Sequence, residues 1–587
     1  MTRPEVWAPE AQRVRISVGP EESACETDLI ALGDGWWRLA GEPLAFDTDY
    51  AFLLDDSAER LPDPRSLRQP YGVHGASRTY DQDAFAWSDA QWRGRDLEGA
   101  IVYELHIGTF TPGATFDSAI ARLPHLVDLG ITHVEVLPVN DFNGVWNWGY
   151  DGVDWYAVHE QYGGPDGLKR FVDAAHGLGL AVVLDVVYNH LGPSGNYLPK
   201  FGPYLKTGRN TWGDLLNLEA LPVRQFILDN ALTWLRDFHI DGLRLDAVHA
   251  LVDTSPVHIL RELADEARAL SLVVGRPLTL IAESDLNDAM MVTAPPEGYG
   301  LDAQWDDDVH HALHALLTGE RQGYYDDFGS FACLAKVLTR AFFHDGTYST
   351  FRGRPHGKPV DRAHVPGYRF VVCLQNHDQV GNRAGGDRLC HLLPPSLLKI
   401  GAVLLMTSPF TPMLWMGEEW AASTPWPFFT SHPEPELAKA TAEGRIEEFA
   451  THGWRREDIV DPQDPSAYHR AVLKWDEVSA GEHAEMLDFY KRLIRLRREN
   501  PALADPHLDQ VSVEADEDAR TIVVQRGEFS VFINLGVSDL PLTVSVSDIV
   551  FSTEDLEEQT TDVVSNEVTL PACSAIVANR QLSGLLS

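Results

Sequence analysis

The chain has 587 residues, 44% of them hydrophobic, enough for several folded units or one large barrel with side domains. Lys plus Arg number 47 against 87 Asp plus Glu, a formal net charge of −40. That balance argues against nucleic acid and anionic membrane surfaces, which need a basic face, and reads as a device of solubility. Residues 1–97 show short alternating runs broken by Gly, Pro and Asp, such as Arg13–Val18, Gly35–Leu39 and Asp49–Leu54. These predict a small antiparallel β-sandwich, followed from Pro70 to Glu98 by a polar linker rich in aromatics.

From about residue 98 to 500 the rhythm changes to apolar strands alternating with amphipathic helices. Strands are expected at Ala100–His106, His133–Pro138, Ala181–Tyr188, Gly242–Ala247, Leu278–Glu283, Leu301–Trp305, Phe370–Gln375 and Met413–Gly417. Gly167–Leu178 and Val223–Phe238 carry apolar residues at helical spacing. Eight such units imply a (β/α)8 barrel, an α/β fold of parallel strands buried on both faces. Met486–Arg498 is the last amphipathic helix. Residues 501–587 return to alternation and predict a C-terminal antiparallel β-domain, with strands at 521–525 and 529–534.

The five cysteines, Cys25, Cys333, Cys373, Cys390 and Cys573, are odd in number and form no CxxC. They fit a reducing cytoplasmic compartment, with Cys373 a core residue. The opening Met1–Glu5 has no basic stretch leading into an apolar one, so no secretory signal is expected. No run of about 18 apolar residues suggests a membrane span.

Four strings place reactive side chains at strand ends: Asp185–His190, Gly242–Asp246, Ile281–Asp285 and Gln375–Asp378. Any one Asp after a strand is ordinarily a helix cap; four in this order predict a shared site at the C-terminal rim, where such barrels do chemistry. Asp246 and Glu283 end consecutive strands, roughly 5 Å apart, the separation a retaining glycosidase needs. Arg244, two residues before Asp246, shares its face and would keep it ionised. Glu283 would have to hold a proton at neutral pH.

The four strings resemble the signature regions of the α-amylase family of glycoside hydrolases. The resemblance implies a nucleophile at Asp246, an acid/base at Glu283 and a transition-state stabiliser at Asp378. It implies a supporting arginine at Arg244, sugar-binding histidines at His190 and His377, and a stacking aromatic at Tyr150. Asp185 reads as a brace, and Trp155 and Tyr188 as packing. Asn189 occupies a position that helps bind calcium in many amylases, but no second acidic cluster accompanies it, so neither metal nor cofactor is expected.

Within that family, Tyr103–Phe110, Glu283–Asp288, Leu374–Asn382 and Trp415–Trp420 are similar to the trehalohydrolase branch. This implies hydrolysis of the α-1,4 bond next to the terminal trehalose of maltooligosyltrehalose, and pairing with the synthase that makes that substrate. Trp212, Tyr324, Phe351 and Arg352, in long loops, are the candidate trehalose-side contacts, with loop packing the alternative reading of each. Glu418 and Glu419 could reach the sugar or cap a helix. A glycogen branching enzyme, which has Ser-His-Asp where this chain has Asn376-His377-Asp378, is the nearest rival; an inactive glucan-binding protein is a rival of another class.

Overall fold

The protein is described by a computed structural model over residues 1–451, 454–544, 546–554 and 567–579. Eight parallel strands close into a barrel: β1 (Val102–Leu105), β2 (His133–Val136), β3 (Ala181–Val186), β4 (Gly242–Leu245), β5 (Thr279–Ala282), β6 (Ala303–Trp305), β7 (Phe370–Cys373) and β8 (Thr411–Trp415). Every residue of these strands is buried. Their near-continuous apolar sequence follows from covering on both faces, by side chains filling the barrel and by helices outside. Helix Gly164–Gly177 shows the outer packing: Leu168, Phe171, Val172 and Ala175, at i, i+3, i+4 and i+7, are its buried stripe.

Register sets the site. Asp185 on β3 lies opposite Arg244 on β4, and Leu245 opposite Ala282 on β5. One residue further, Asp246 and Glu283 come level at the C-terminal rim. Their backbones extend the ladder, the Asp246 N–H donating to Val186 O (3.0 Å) and the Glu283 N–H to Leu245 O (2.9 Å).

At the N-terminus six antiparallel strands form one sheet in which Cys25–Gly33 is shared. Its first half pairs with Val14–Val18 and its second with Trp36–Leu39. The sheet packs on the barrel through Trp7 against Tyr204 and Phe52 against Phe201. The segment expected as a linker is docked instead. Trp87 stacks on His239 (3.7 Å) and Trp92 on His176 (4.6 Å), while Asp89 bonds both histidines. Its aromatic content is the reason: those rings cover polar groups at the N-terminal end of the barrel. At the C-terminus an antiparallel five-stranded sheet and a two-stranded one follow helix Gly481–Glu499. Among the described residues, no helix is long and apolar enough to cross a membrane.

Candidate active site

Arg244 is the hub. Its guanidinium is fully buried and lies 4.2 Å over the Trp305 ring at the end of β6. Nη1 donates to Asp246 Oδ1 (2.7 Å) and to both Asp185 oxygens (2.9 and 3.1 Å), and Nη2 stands 3.8 Å from Glu283 Oε2. One cation therefore touches three carboxyls from three consecutive strands. The second Asp246 oxygen accepts from Asn189 Nδ2 (2.6 Å). Charge-assisted donors on both oxygens compensate its negative charge and hold its rotamer. Asn189 Oδ1 is bonded to His190 Nδ1 (2.6 Å), so both ends of that amide are committed within the site.

Glu283 sits differently. Its Oε2 accepts from the Ala247 N–H (2.6 Å), offered because Ala247 turns into left-handed geometry (φ 41°) directly after Asp246. A non-glycine residue held there stores strain at a functional position. Burial pushes the Glu283 carboxyl up to about 8, with Asp246, Asp307 and Asp378 adding and Arg244 opposing. Its side chain keeps 16% exposure. So raised, it holds its proton at neutral pH, next to the Asp246 carboxyl that Arg244 bonds.

Asp378 is the second residue of the short helix His377–Gly381 after β7 and keeps 45% exposure. Gly381 packs directly against Trp148, where a Cβ would lie 2.0 Å from the ring. Tyr150 is aimed by Gly149, whose φ of +111° and closeness to Pro138 O exclude a side chain. The Tyr150 ring stacks on His377 (5.1 Å), and its hydroxyl donates to Asp185 Oδ2 (2.6 Å) and meets His377 Nε2 (2.8 Å). His190 Nε2 donates to Tyr150 O (3.0 Å). The structure thus brings Asp185, Asp246, Glu283, Asp378, Arg244, Tyr150, His190 and His377 into one cluster.

The family model described as alpha amylase, catalytic domain, matches residues 113–204. A malto-oligosyltrehalose trehalohydrolase from Rhizobium sp. is 54% identical over 98% of this chain and 97% of its own length. One from Arthrobacter ramosus is 55% identical over 90% of this chain and 92% of its own. The chain belongs to the malto-oligosyltrehalose trehalohydrolase family. A Salmonella typhimurium crystal structure, provisionally described as an alpha amylase, superimposes with a TM-score of 0.88 at 36% identity. It covers 99% of this chain and 97% of that one.

The remaining candidate residues lie on long loops. Phe351 and Arg352 lie on the turn between Tyr348–Ser349 and Arg354–Pro355, and Phe351 is half exposed. Arg352 Nη1 donates to Asp285 Oδ2 (2.7 Å), two residues past Glu283. Tyr324 packs edge-on to Phe351 (6.1 Å), its hydroxyl 3.5 Å from Gln379 Oε1, one residue past Asp378. These three form one wall. Trp212 stacks over His190 (6.0 Å) from the loop after β3 and meets His249 edge-on.

Glu418 and Glu419 do not reach the cleft. Both are buried outside the barrel. Glu418 accepts from Tyr490 (3.0 Å) and Glu419 from Tyr103 (3.1 Å) and His125 (2.9 Å). Gly417, at φ +84°, turns the chain outward beneath helix Gly481–Glu499. Sequence reasoning missed Asp307, at the start of helix Asp307–Thr318, whose carboxyl is pushed up to about 7 by burial and by Asp378. It missed Arg445, which donates to Asn382 Oδ1 (2.7 Å), and Glu104 on β1. The triplet Asp306-Asp307-Asp308 after β6, and an acidic residue inside the apolar strand Val102–Leu105, were the available signals.

Proposed function

We propose that this chain is a retaining glycosidase that hydrolyses the α-1,4 bond next to the terminal trehalose of maltooligosyltrehalose. Asp246 attacks the anomeric carbon while Glu283 gives its proton to the glycosidic oxygen, which leaves on trehalose. Water then attacks the glycosyl ester, Glu283 takes its proton, and the maltooligosaccharide departs with its α-configuration kept. Asp378 faces the developing positive charge, and His190, His377 and Tyr150 grip the sugar at the cleavage point. Asp185 braces Arg244.

The observation that carries this reading is near full-length similarity to relatives bearing the trehalohydrolase name, together with Arg244 touching both Asp246 and Glu283. The wall of Tyr324, Phe351 and Arg352, with Trp212 across from His190, is offered for the trehalose side. A sugar pocket wants aromatic faces and a few fixed donors, and these residues supply them. The reading needs no metal or cofactor. It places the enzyme in the cytoplasm, in keeping with five unpaired cysteines, downstream of the synthase that builds maltooligosyltrehalose. Incubation with maltooligosyltrehalose and, separately, amylose is the test. Trehalose release from the first, with the α-anomer of the maltooligosaccharide appearing first by proton NMR, is expected. Branching of amylose, or binding without products, would overturn it.

A further inference from the structure

We propose that Glu104, in the middle of β1, is a positioning residue that keeps His377 as an imidazolium and so fixes the direction of the hydrogen bonds beneath the scissile bond. This rests on the reading of His377 and Asp378 given above.

The argument is one of donors and acceptors. Glu104 is fully buried, and both its oxygens face His377: Oε1 lies 2.5 Å from Nδ1, and Oε2 accepts the His377 backbone N–H (3.0 Å). Tyr150 has a single hydroxyl proton. Asp185, gripped by Arg244, takes it at 2.6 Å. The Tyr150 oxygen must then accept from His377 Nε2 at 2.8 Å. With a carboxylate on Nδ1 and an acceptor on Nε2, both ring nitrogens carry protons. A continuous chain results, from Glu104 through His377, Tyr150, Asp185 and Arg244 to Asp246, crossing strands β1, β7, β3 and β4.

The surroundings agree. Glu104, Glu135, Asp185 and Asp378 present acidic groups to His377, Arg244 and His106 oppose them, and Tyr150 completes the shell. Burial alone would lower the imidazole, yet Asp378 and Glu104 raise it to about 9. Glu135, opposite Glu104 on β2, has neither oxygen bonded and is raised well above the carboxylate range by burial. Glu135 therefore keeps its proton, and Glu104, both of whose oxygens bond His377, is the acid paired with the ring. The charge matters because His377 Nε2 is 3.5 Å from Asp378 Oδ2. A neutral ring would let Tyr150 turn its proton away from Asp185, loosen Arg244's partner and remove the cation beside Asp378.

The test uses full-length enzyme with ring-labelled histidine, the His377 signals being identified by their loss in His377→Gln. Wild type should show both ring nitrogens protonated at neutral pH. In Glu104→Gln that ring should titrate about one to two pH units lower, the worth of one lost charge-assisted hydrogen bond. In the same variant kcat should fall about 10- to 100-fold with KM little changed. Glu104→Asp should recover part of the loss. Glu135→Gln, a change between two neutral groups beside the same site, should move neither readout. A neutral His377 in wild type, an unchanged titration in Glu104→Gln, or an equal shift in Glu135→Gln would each overturn the proposal. The wild-type outcome needs only His377→Gln, for assignment, so it decides even if Glu104→Gln is unstable. An imidazolium dependent on Glu104 in an enzyme that releases no trehalose would uphold the positioning role and sink only the substrate reading.

Discussion

Replacing Arg244 with lysine is the most informative single change. The arginine fork reaches Asp246 and Asp185 from one nitrogen at 2.7 and 2.9 Å, and approaches Glu283 with the other at 3.8 Å. A lysine ammonium is a point charge on a shorter reach and can satisfy one carboxylate well. At least one charge-assisted hydrogen bond is lost, worth about 1.5–3 kcal/mol. If it is the bond to Asp246, the rate falls about 10- to 150-fold. Arg244 lowers Glu283, so its weakening raises that carboxyl further and leaves the proton donor intact at neutral pH. The defect should therefore lie in nucleophilic attack. Measured as kcat/KM, Arg244→Lys should lose similarly on maltooligosyltrehalose and on an aryl maltooligoside whose phenolate leaves without protonation. Glu283→Gln should lose far less on the aryl substrate. A loss of less than about threefold on both substrates, or one confined to the natural substrate, would refute the assignment of Arg244 to the nucleophile. Arg244→Met goes further, leaving Asp185 and Asp246 without a cation, at a cost of about 3–5 kcal/mol of stability that thermal unfolding would register.

Asp246→Asn, Glu283→Gln and Asp378→Asn should each lower turnover by several powers of ten with unchanged circular dichroism; near-native activity in any one removes it from the mechanism. Activity requires protonated Glu283, raised to about 8, so kcat/KM should hold below that pH and fall above it; an alkaline limb near the ordinary carboxyl range would show that the acid lies elsewhere. His176 is sandwiched between Asp89 (2.9 Å) and Asp241 (2.8 Å), and although burial opposes it, these partners raise its pKa. A raised histidine stabilises fully below its unfolded value of about 6.5 and loses that contribution as pH climbs through the folded value. The melting temperature should therefore drop as pH rises above about 6.5, and His176→Gln should flatten that slope; parallel slopes would dismiss the pair. Arg352→Ala and Phe351→Ala should lower trehalose release more than hydrolysis of plain maltooligosaccharide, and equal losses would place both residues in packing.

The meeting of the candidate site residues at one rim was legible because barrel register follows from strand ends. Once Gly242–Asp246 and Ile281–Glu283 are adjacent parallel strands, their last residues must come level at the rim. The same logic misplaced Glu418 and Glu419. They too follow a strand, but Gly417 turns the chain away from the cleft, and only the packed helix Gly481–Glu499 reveals that direction. Glu104 was hidden for a different reason. A strand period of two says which side chains share a face, not which face fills the barrel. Tyr103 points out to Glu419 while Glu104 points in to His377. The segment from Pro70 to Glu98 was polar enough to read as a linker, and its docking depends on His176 and His239, brought to it by the fold.

The roles in the site follow from how few cations it holds. Arg244 and His377 lie among seven carboxyls, those of Glu104, Glu135, Asp185, Asp246, Glu283, Asp307 and Asp378, most of them buried. Protons must make up the difference, and geometry decides where they go. Asp185, with two bonds from Arg244, is raised by burial only to about 6. Asp307 is raised to about 7 and Glu283, 3.8 Å from the guanidinium, to about 8. Glu135, whose oxygens have no hydrogen-bond partner among the described residues, is raised well above its ordinary range by burial. The group that must donate a proton to the leaving sugar is thus one the arginine approaches but does not bond. The group that must attack is the one it bonds most closely, at 2.7 Å. On the proposed mechanism the fork favours the nucleophile at Asp246, while burial, which Arg244 opposes, keeps the acid at Glu283.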